Sequence, residues 1–130
     1  MALVHLVIAL ALLEYLLFSW LVGRARDKYH VAAPAVSGNP VFERYFRAHM
    51  NTLEQLIVFI PAVLLFGRYV NVYVAAALGA LFIIGRALYF RGYVQAPGKR
   101  HLGFSIGALA TAALLLGAIY GAVRALLPGG

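Results

Sequence analysis

Four apolar stretches, at residues 1–22, 53–70, 72–93 and 102–127, limit what this chain can fold into. Each is close to the ~20 residues needed to cross the hydrocarbon core of a bilayer. In lipid every backbone N–H and C=O must find its partner inside the protein, so runs of this length fold as helices. The expected architecture is all-α: an integral membrane four-helix bundle in one domain, with helices over about 1–23, 42–70, 72–95 and 101–127. No basic segment precedes the first run, no small-residue cleavage site ends it, and basic residues follow it. That pattern predicts a retained anchor, not a cleaved signal peptide.

Composition enters as a test of this reading. Only 12% of the residues are charged and 64% are hydrophobic, whereas a soluble domain carries roughly 25% charged residues. The chain has too little polar surface to cover itself in water. Its net charge of +7 would point to nucleic acid in a soluble protein. Here the cations cluster between apolar runs, so membrane lipid accounts for them and no nucleic-acid partner is expected. There is no cysteine, which excludes a disulfide scaffold, a thiolate metal site and a cysteine nucleophile. His5, His30, His49 and His101 have no metal-ligand spacing, so no metal is expected.

The cations also set an orientation. Arg24, Arg26, Lys28, Arg44 and Arg47 flank the first connection, and Arg91, Lys99 and Arg100 flank the third, leaving Arg68 and Arg124 on the other side. Cytoplasmic loops carry the excess of lysine and arginine. Both termini are therefore expected away from the cytoplasm. Within the helices, Gly103, Gly107 and Thr111 recur every fourth residue and Gly117 with Gly121 continues the series. Small residues at this spacing let helices approach closely in lipid. Pro61 falls inside the second run and is expected to kink it.

The stretch "FERYFRAHMNTLEQL", residues 42–56, loads charge into the head of the second span. Glu43, Arg47, Asn51 and Glu54 fall on one helical stripe. The first turns suit the headgroup region. Glu54 lies roughly 10 Å further along the helix than Arg47, and a buried charge costs about 2.5–3.5 kcal/mol even on the lenient insertion scale. Asn51 and Glu54 are therefore expected to find partners inside the bundle. In the third run, Arg86, Tyr89 and Tyr93 share a face, with Arg100 just past the next turn. Tyrosines at a membrane border are commonly belt residues, but an arginine on the same face favours a polar pocket. Such a pocket suits a small zwitterionic ligand with carboxylates and an amine.

Together, "FERYFRAHMNTLEQL" and "RALYFRGYVQAPGKR" resemble the MAPEG family, the membrane-associated proteins in eicosanoid and glutathione metabolism. The resemblance implies a homotrimer of four-helix subunits that binds glutathione as co-substrate between neighbours near the cytoplasmic face. A lipophilic electrophile or lipid substrate would enter from the bilayer. Arg47 and Asn51 then match positions that hold the glutathione backbone and a carboxylate, and Glu54 matches the acid that pairs with its amine. Tyr89 and Tyr93 match phenols lining the site, with Arg86 on their face, and Arg100 matches the arginine at the thiol. Arg26 lies where the family often carries a basic residue for a carboxylate. His49 is typical of the glutathione-transferase and prostaglandin-synthase branch. Gln55 replaces a tyrosine of the leukotriene branch and argues for a general transferase, and Lys99 stands beside Arg100 as a competing cation.

The activity this implies is a glutathione S-transferase, with reduction of lipid hydroperoxides as a second outlet. A thiol of pKa about 8.5 is mostly protonated at neutral pH, and the thiolate is the nucleophile. A guanidinium stays charged and so acts by stabilising the anion. The alternative is a non-catalytic lipid-binding protein of the same fold, as in the 5-lipoxygenase-activating branch. A lipid presenter has no need of a thiolate-stabilising cation, which favours the enzyme.

Overall fold

The computed structural model describes residues 1–129, all but the side chain of Pro97. The described residues form four α-helices: α1 (Ala2–Tyr29), α2 (Pro40–Tyr69), α3 (Val72–Gln95) and α4 (His101–Leu126), with one 3₁₀ turn at Pro97–Arg100. All four are long and apolar enough to cross a membrane. The four helices cover the four apolar runs, and two of them reach further at one end. α1 continues past residue 23 to Tyr29, so Arg24, Arg26 and Lys28 ride on its last turns and not in a loop. α2 begins at Pro40, and Asn39 caps it by accepting from the N–H groups of Val41 and Phe42 at 2.9 and 3.0 Å. A proline at the first helical position gives up an N–H that had no partner to lose.

The connections follow from local chemistry. α1 stops where His30 adopts the left-handed conformation, φ 57° and ψ 45°, and the N–H of Val31 folds back to the Arg26 carbonyl at 3.0 Å. Asn71 caps α3 through the Val74 N–H at 2.9 Å, which keeps the α2–α3 turn short. α2 remains α-helical through Pro61.

Packing centres on aromatic and small residues. Phe59 and Phe82 stack with centroids 3.9 Å apart, joining α2 to α3 within a core that also takes Val4, Val7 and Leu114 from α1 and α4. α3 and α4 meet along glycines. A methyl on Gly85 would come 2.7 Å from the Gly107 nitrogen, and one on Gly103 would run into the Tyr89 backbone nitrogen. Lipid offers no hydrophobic drive between helices, so such close van der Waals contact has to hold them. A second cluster, Phe18, Ala48, Tyr89 and Phe90, packs α1, α2 and α3 together towards the basic end. This cluster fixes Tyr89, and Tyr89 leads to the polar site.

Candidate functional site

Tyr89 is buried on α3, and its hydroxyl accepts from the Asn51 amide of α2 at 2.6 Å. One turn earlier, Arg86 is 1% exposed. Its Nε and Nη2 donate to Thr52 Oγ1 at 3.3 and 3.0 Å, and Thr52 in turn donates to the Ala48 carbonyl at 2.9 Å. The guanidinium carbon of Arg86 lies 4.0 Å from the Tyr89 ring centroid. A buried arginine with a cation–π face and two charge-assisted donors is held in one geometry. Thus α2 and α3 are locked together by polar groups where the two helices cross.

These residues wall a cavity of about 450 Å³ bordered by Asn51, Glu54, Arg86, Tyr89 and Arg100. Its remaining lining is Gln55, His101 and Phe104. Of the two adjacent cations, Arg100 borders the cavity and Lys99 is not among its lining residues. The Arg100 guanidinium carbon lies 5.6 Å from the Tyr93 ring centroid, and the Tyr93 and Tyr89 rings meet at 5.6 Å. The expectation of partners inside the bundle is met by Asn51. Glu54 instead stands exposed at the cavity edge. The cavity thus offers two guanidinium groups, an imidazole, a carboxylate, two amides and a phenol, with Phe104 adding an apolar wall.

The remaining sequence-predicted residues lie elsewhere. Arg47 and Tyr93 line a neighbouring, more open hollow of about 400 Å³ with Glu43 and Arg44. His49 turns to α1, stacks on Tyr15 with centroids 4.7 Å apart, and places Nε2 2.9 Å from Ser19 Oγ. Arg26 donates to the Ala35 carbonyl at 2.6 Å and lies over the Phe42 ring at 4.9 Å. It thereby ties down the first loop, beside a hollow shared with Asp27 and His30. Gln55, His101 and Phe104 were not expected at the site. Gln55 follows Glu54 directly and His101 follows Arg100, so adjacency was the available signal. Phe104 depends on how α4 sits against α3. Among the described residues, no cluster of histidine and acidic side chains could hold a metal ion.

The MAPEG family profile matches residues 4–120. The chain belongs to the MAPEG family. It is 48% identical over 114 residues to the protein sll1147 of Synechocystis sp., covering 88% of this chain and 83% of that one. It is 48% identical over 100 residues to microsomal glutathione S-transferase 2 of Homo sapiens, covering 75% of this chain and 68% of the relative. Leukotriene C4 synthase of Mus musculus is more distant, at 34% over 112 residues, covering 86% and 75%. This MAPEG member therefore joins an all-helical membrane architecture to a polar cavity between α2, α3 and the start of α4.

Proposed function

We propose that this MAPEG member is a membrane-bound glutathione S-transferase that works as a homotrimer. The observation that carries the reading is the meeting of Arg100 with Glu54, Asn51 and Tyr89 around one cavity. That set matches glutathione group by group. Glu54 faces the amine, Asn51 and Tyr89 hold the peptide backbone, and Arg100 stands at the thiol. Arg47, in the adjoining hollow with Tyr93, takes a carboxylate. The relatives named as microsomal glutathione S-transferases support the same reading.

The chemistry follows from charge. Arg100 lowers the energy of the thiolate relative to the thiol, and one unit of pKa depression corresponds to about 1.4 kcal/mol. The thiol proton leaves to solvent at the cytoplasmic mouth. The thiolate attacks an electrophilic carbon of a lipophile held in the bilayer, a C–S bond forms, and the leaving group departs with its electron pair. With a lipid hydroperoxide the same thiolate attacks the terminal oxygen: the O–O bond breaks, the alkoxide leaves and takes a proton as the alcohol, and the sulfur becomes a sulfenic acid, whose hydroxyl a second glutathione displaces as water to give the disulfide. The test is calorimetric glutathione binding to the detergent-solubilised protein, followed by turnover of chlorodinitrobenzene. Saturable binding with conjugate formation is expected. Lipid binding with neither glutathione binding nor turnover would favour the lipid-presenting alternative.

A further inference from the structure

Leu13, Leu17, Leu21, Arg24 and Lys28 follow one another in steps of three and four along one face of α1. Leu13 and Leu17 are exposed, as a surface that meets lipid tails should be. Leu21, Arg24 and Lys28 line a hollow of about 160 Å³ with Ala25, Tyr29 and, from the start of α2, Tyr45. This hollow shares no residue with the polar cavity. Trp20, also exposed, stands where the apolar surface gives way to the cations, and tryptophan favours the headgroup level of a bilayer. Arg24 turns back towards it, with the guanidinium carbon 5.1 Å from the Trp20 ring centroid. A long cationic side chain at a helix end ordinarily reaches out to water. Lys28 stands one turn further on, its Nζ 5.5 Å from the Tyr29 ring centroid. Like charges spaced i, i+4 oppose one another, and Asp27 on the same turns lines the hollow of Arg26 and His30 instead. The helix dipole favours cations at this end of α1, but it accounts neither for the turn of Arg24 towards the membrane nor for the two phenols beside the pair.

We propose that this hollow binds the phosphate of an anionic phospholipid, whose acyl chains run along the Leu13 and Leu17 stripe of α1. Arg24 and Lys28 take the phosphate charge, which removes their mutual repulsion, and the hydroxyls of Tyr29 and Tyr45 supply neutral donors. The hollow is well below the roughly 300–1,000 Å³ of sites that enclose a whole small molecule. It suits a headgroup phosphate whose chains stay outside in the bilayer. Its position at the end of the apolar stripe favours a lipid over a soluble phosphate ester, which would leave that stripe unused.

Trp20 is the chain's one tryptophan and touches the hollow through Arg24, so its fluorescence reports which lipid sits there. The test reconstitutes the full-length protein in phosphatidylcholine vesicles in which a minor fraction of the lipid carries brominated chains, which quench tryptophan on contact. The brominated lipid is either phosphatidylglycerol or phosphatidylcholine. At equal fraction the phosphatidylglycerol should quench more, with a preference of roughly fivefold per cation, the equivalent of about 1 kcal/mol each. Lys28→Gln leaves the contact of Arg24 with Trp20 in place and should lower the preference several-fold. Arg24→Gln combined with Lys28→Gln should abolish it. Arg91→Gln removes a cation of α3 that does not line the hollow and should leave the preference unchanged. Equal quenching by the two lipids in the parent overturns the proposal. So does a loss with Arg91→Gln as large as that with Lys28→Gln, which would assign the preference to the diffuse charge of the basic end. If exchanging chloride for inorganic phosphate at equal ionic strength abolishes the preference, the hollow takes a soluble phosphate and the lipid assignment falls.

Discussion

Glu54 stands exposed at the edge of the cavity, where α2 enters the apolar zone. A carboxylate so placed is available to a ligand cation. Glu54→Gln preserves shape and removes the charge. A charge-assisted hydrogen bond contributes about 1.5–3 kcal/mol, so glutathione affinity should fall roughly ten- to a hundredfold, measured by calorimetry. Unchanged affinity would make Glu54 a structural residue. Arg100 is argued to act on the thiolate and not on binding. Arg100→Ala should leave affinity within a few-fold and cut turnover roughly a hundred- to a thousandfold. Lys99→Ala is the control and should matter little, because Lys99 is not among the cavity's lining residues. If the lysine variant loses the thiolate signal while the arginine variant keeps it, the assignment is reversed. The polar stripe on α2 was legible from helical spacing alone. Its division was not: Arg47 and Asn51 are about 6 Å apart in helical rise, and Arg47 groups with Tyr93 in the next hollow. Nor was the fate of Arg26 legible, because the carbonyl of Ala35 that claims it is placed by the loop's path.

At the scale of elements, the every-fourth-residue glycines of α4 announced close packing, but the sequence could not say which helix they meet. Gly103 meets α3, through Gly85 and the backbone of Tyr89, whereas Gly117 and Gly121 meet Phe66 and Tyr69 of α2. The Gly103 contact sets the distance between Tyr89 and Arg100, so packing and chemistry meet at one crossing. An ideal methyl on Gly103 would strike the Tyr89 nitrogen and lie 2.6 Å from the Gly85 carbonyl oxygen. Backbone cannot swing aside as a side-chain tip can. Gly103→Ala should therefore destabilise the protein by about 1–3 kcal/mol, the usual range for overpacking, and lower turnover as Arg100 is pushed away from Tyr89. Gly107→Ala is the contrast within the same series. Its nearest contacts would be Arg86 Cδ at 3.5 Å and Phe82 Cδ2 at 4.0 Å, ordinary van der Waals distances, so its cost should stay within about 0.5 kcal/mol. Thermal unfolding of both variants in one detergent decides this, and equal losses would remove the argument that backbone contact controls the crossing. The α-helical continuity of α2 through Pro61 belongs to the same scale. Proline breaks the ladder in isolation, but neighbouring helices and adjusted backbone bonds compensate for it in a membrane bundle.

For the whole molecule, orientation decides whether the cavity can meet a cytoplasmic ligand. α2 is 30 residues long, about 45 Å at 1.5 Å per residue, against a hydrocarbon core of about 30 Å. It must overhang at one end, and the charges choose the end: Glu43, Arg44 and Arg47 occupy its first turns. Arg24, Arg26 and Lys28 end α1 on the same side, and Lys99 and Arg100 lie in the 3₁₀ turn between α3 and α4. Arg44 reinforces this end by donating to the Gln95 carbonyl at 3.1 Å, where α3 runs out of internal partners. Only Arg68 and Arg124 lie at the opposite end, where Arg124 donates to the Tyr120 hydroxyl at 3.3 Å. Lysine and arginine are retained on the cytoplasmic side, so the cavity, beside Arg100, is expected to face the cytoplasm and both termini the other compartment. The chain carries two lysines, Lys28 and Lys99, and both belong to the expected cytoplasmic end. In sealed right-side-out vesicles, a membrane-impermeant amine reagent should spare both until the bilayer is permeabilised. A reporter inserted near Ser37 should likewise read as cytoplasmic and one fused to the end of α4 as external. Labelling of the lysines in intact vesicles would put the cavity on the wrong side for cytoplasmic glutathione, and the transferase reading would fall with it.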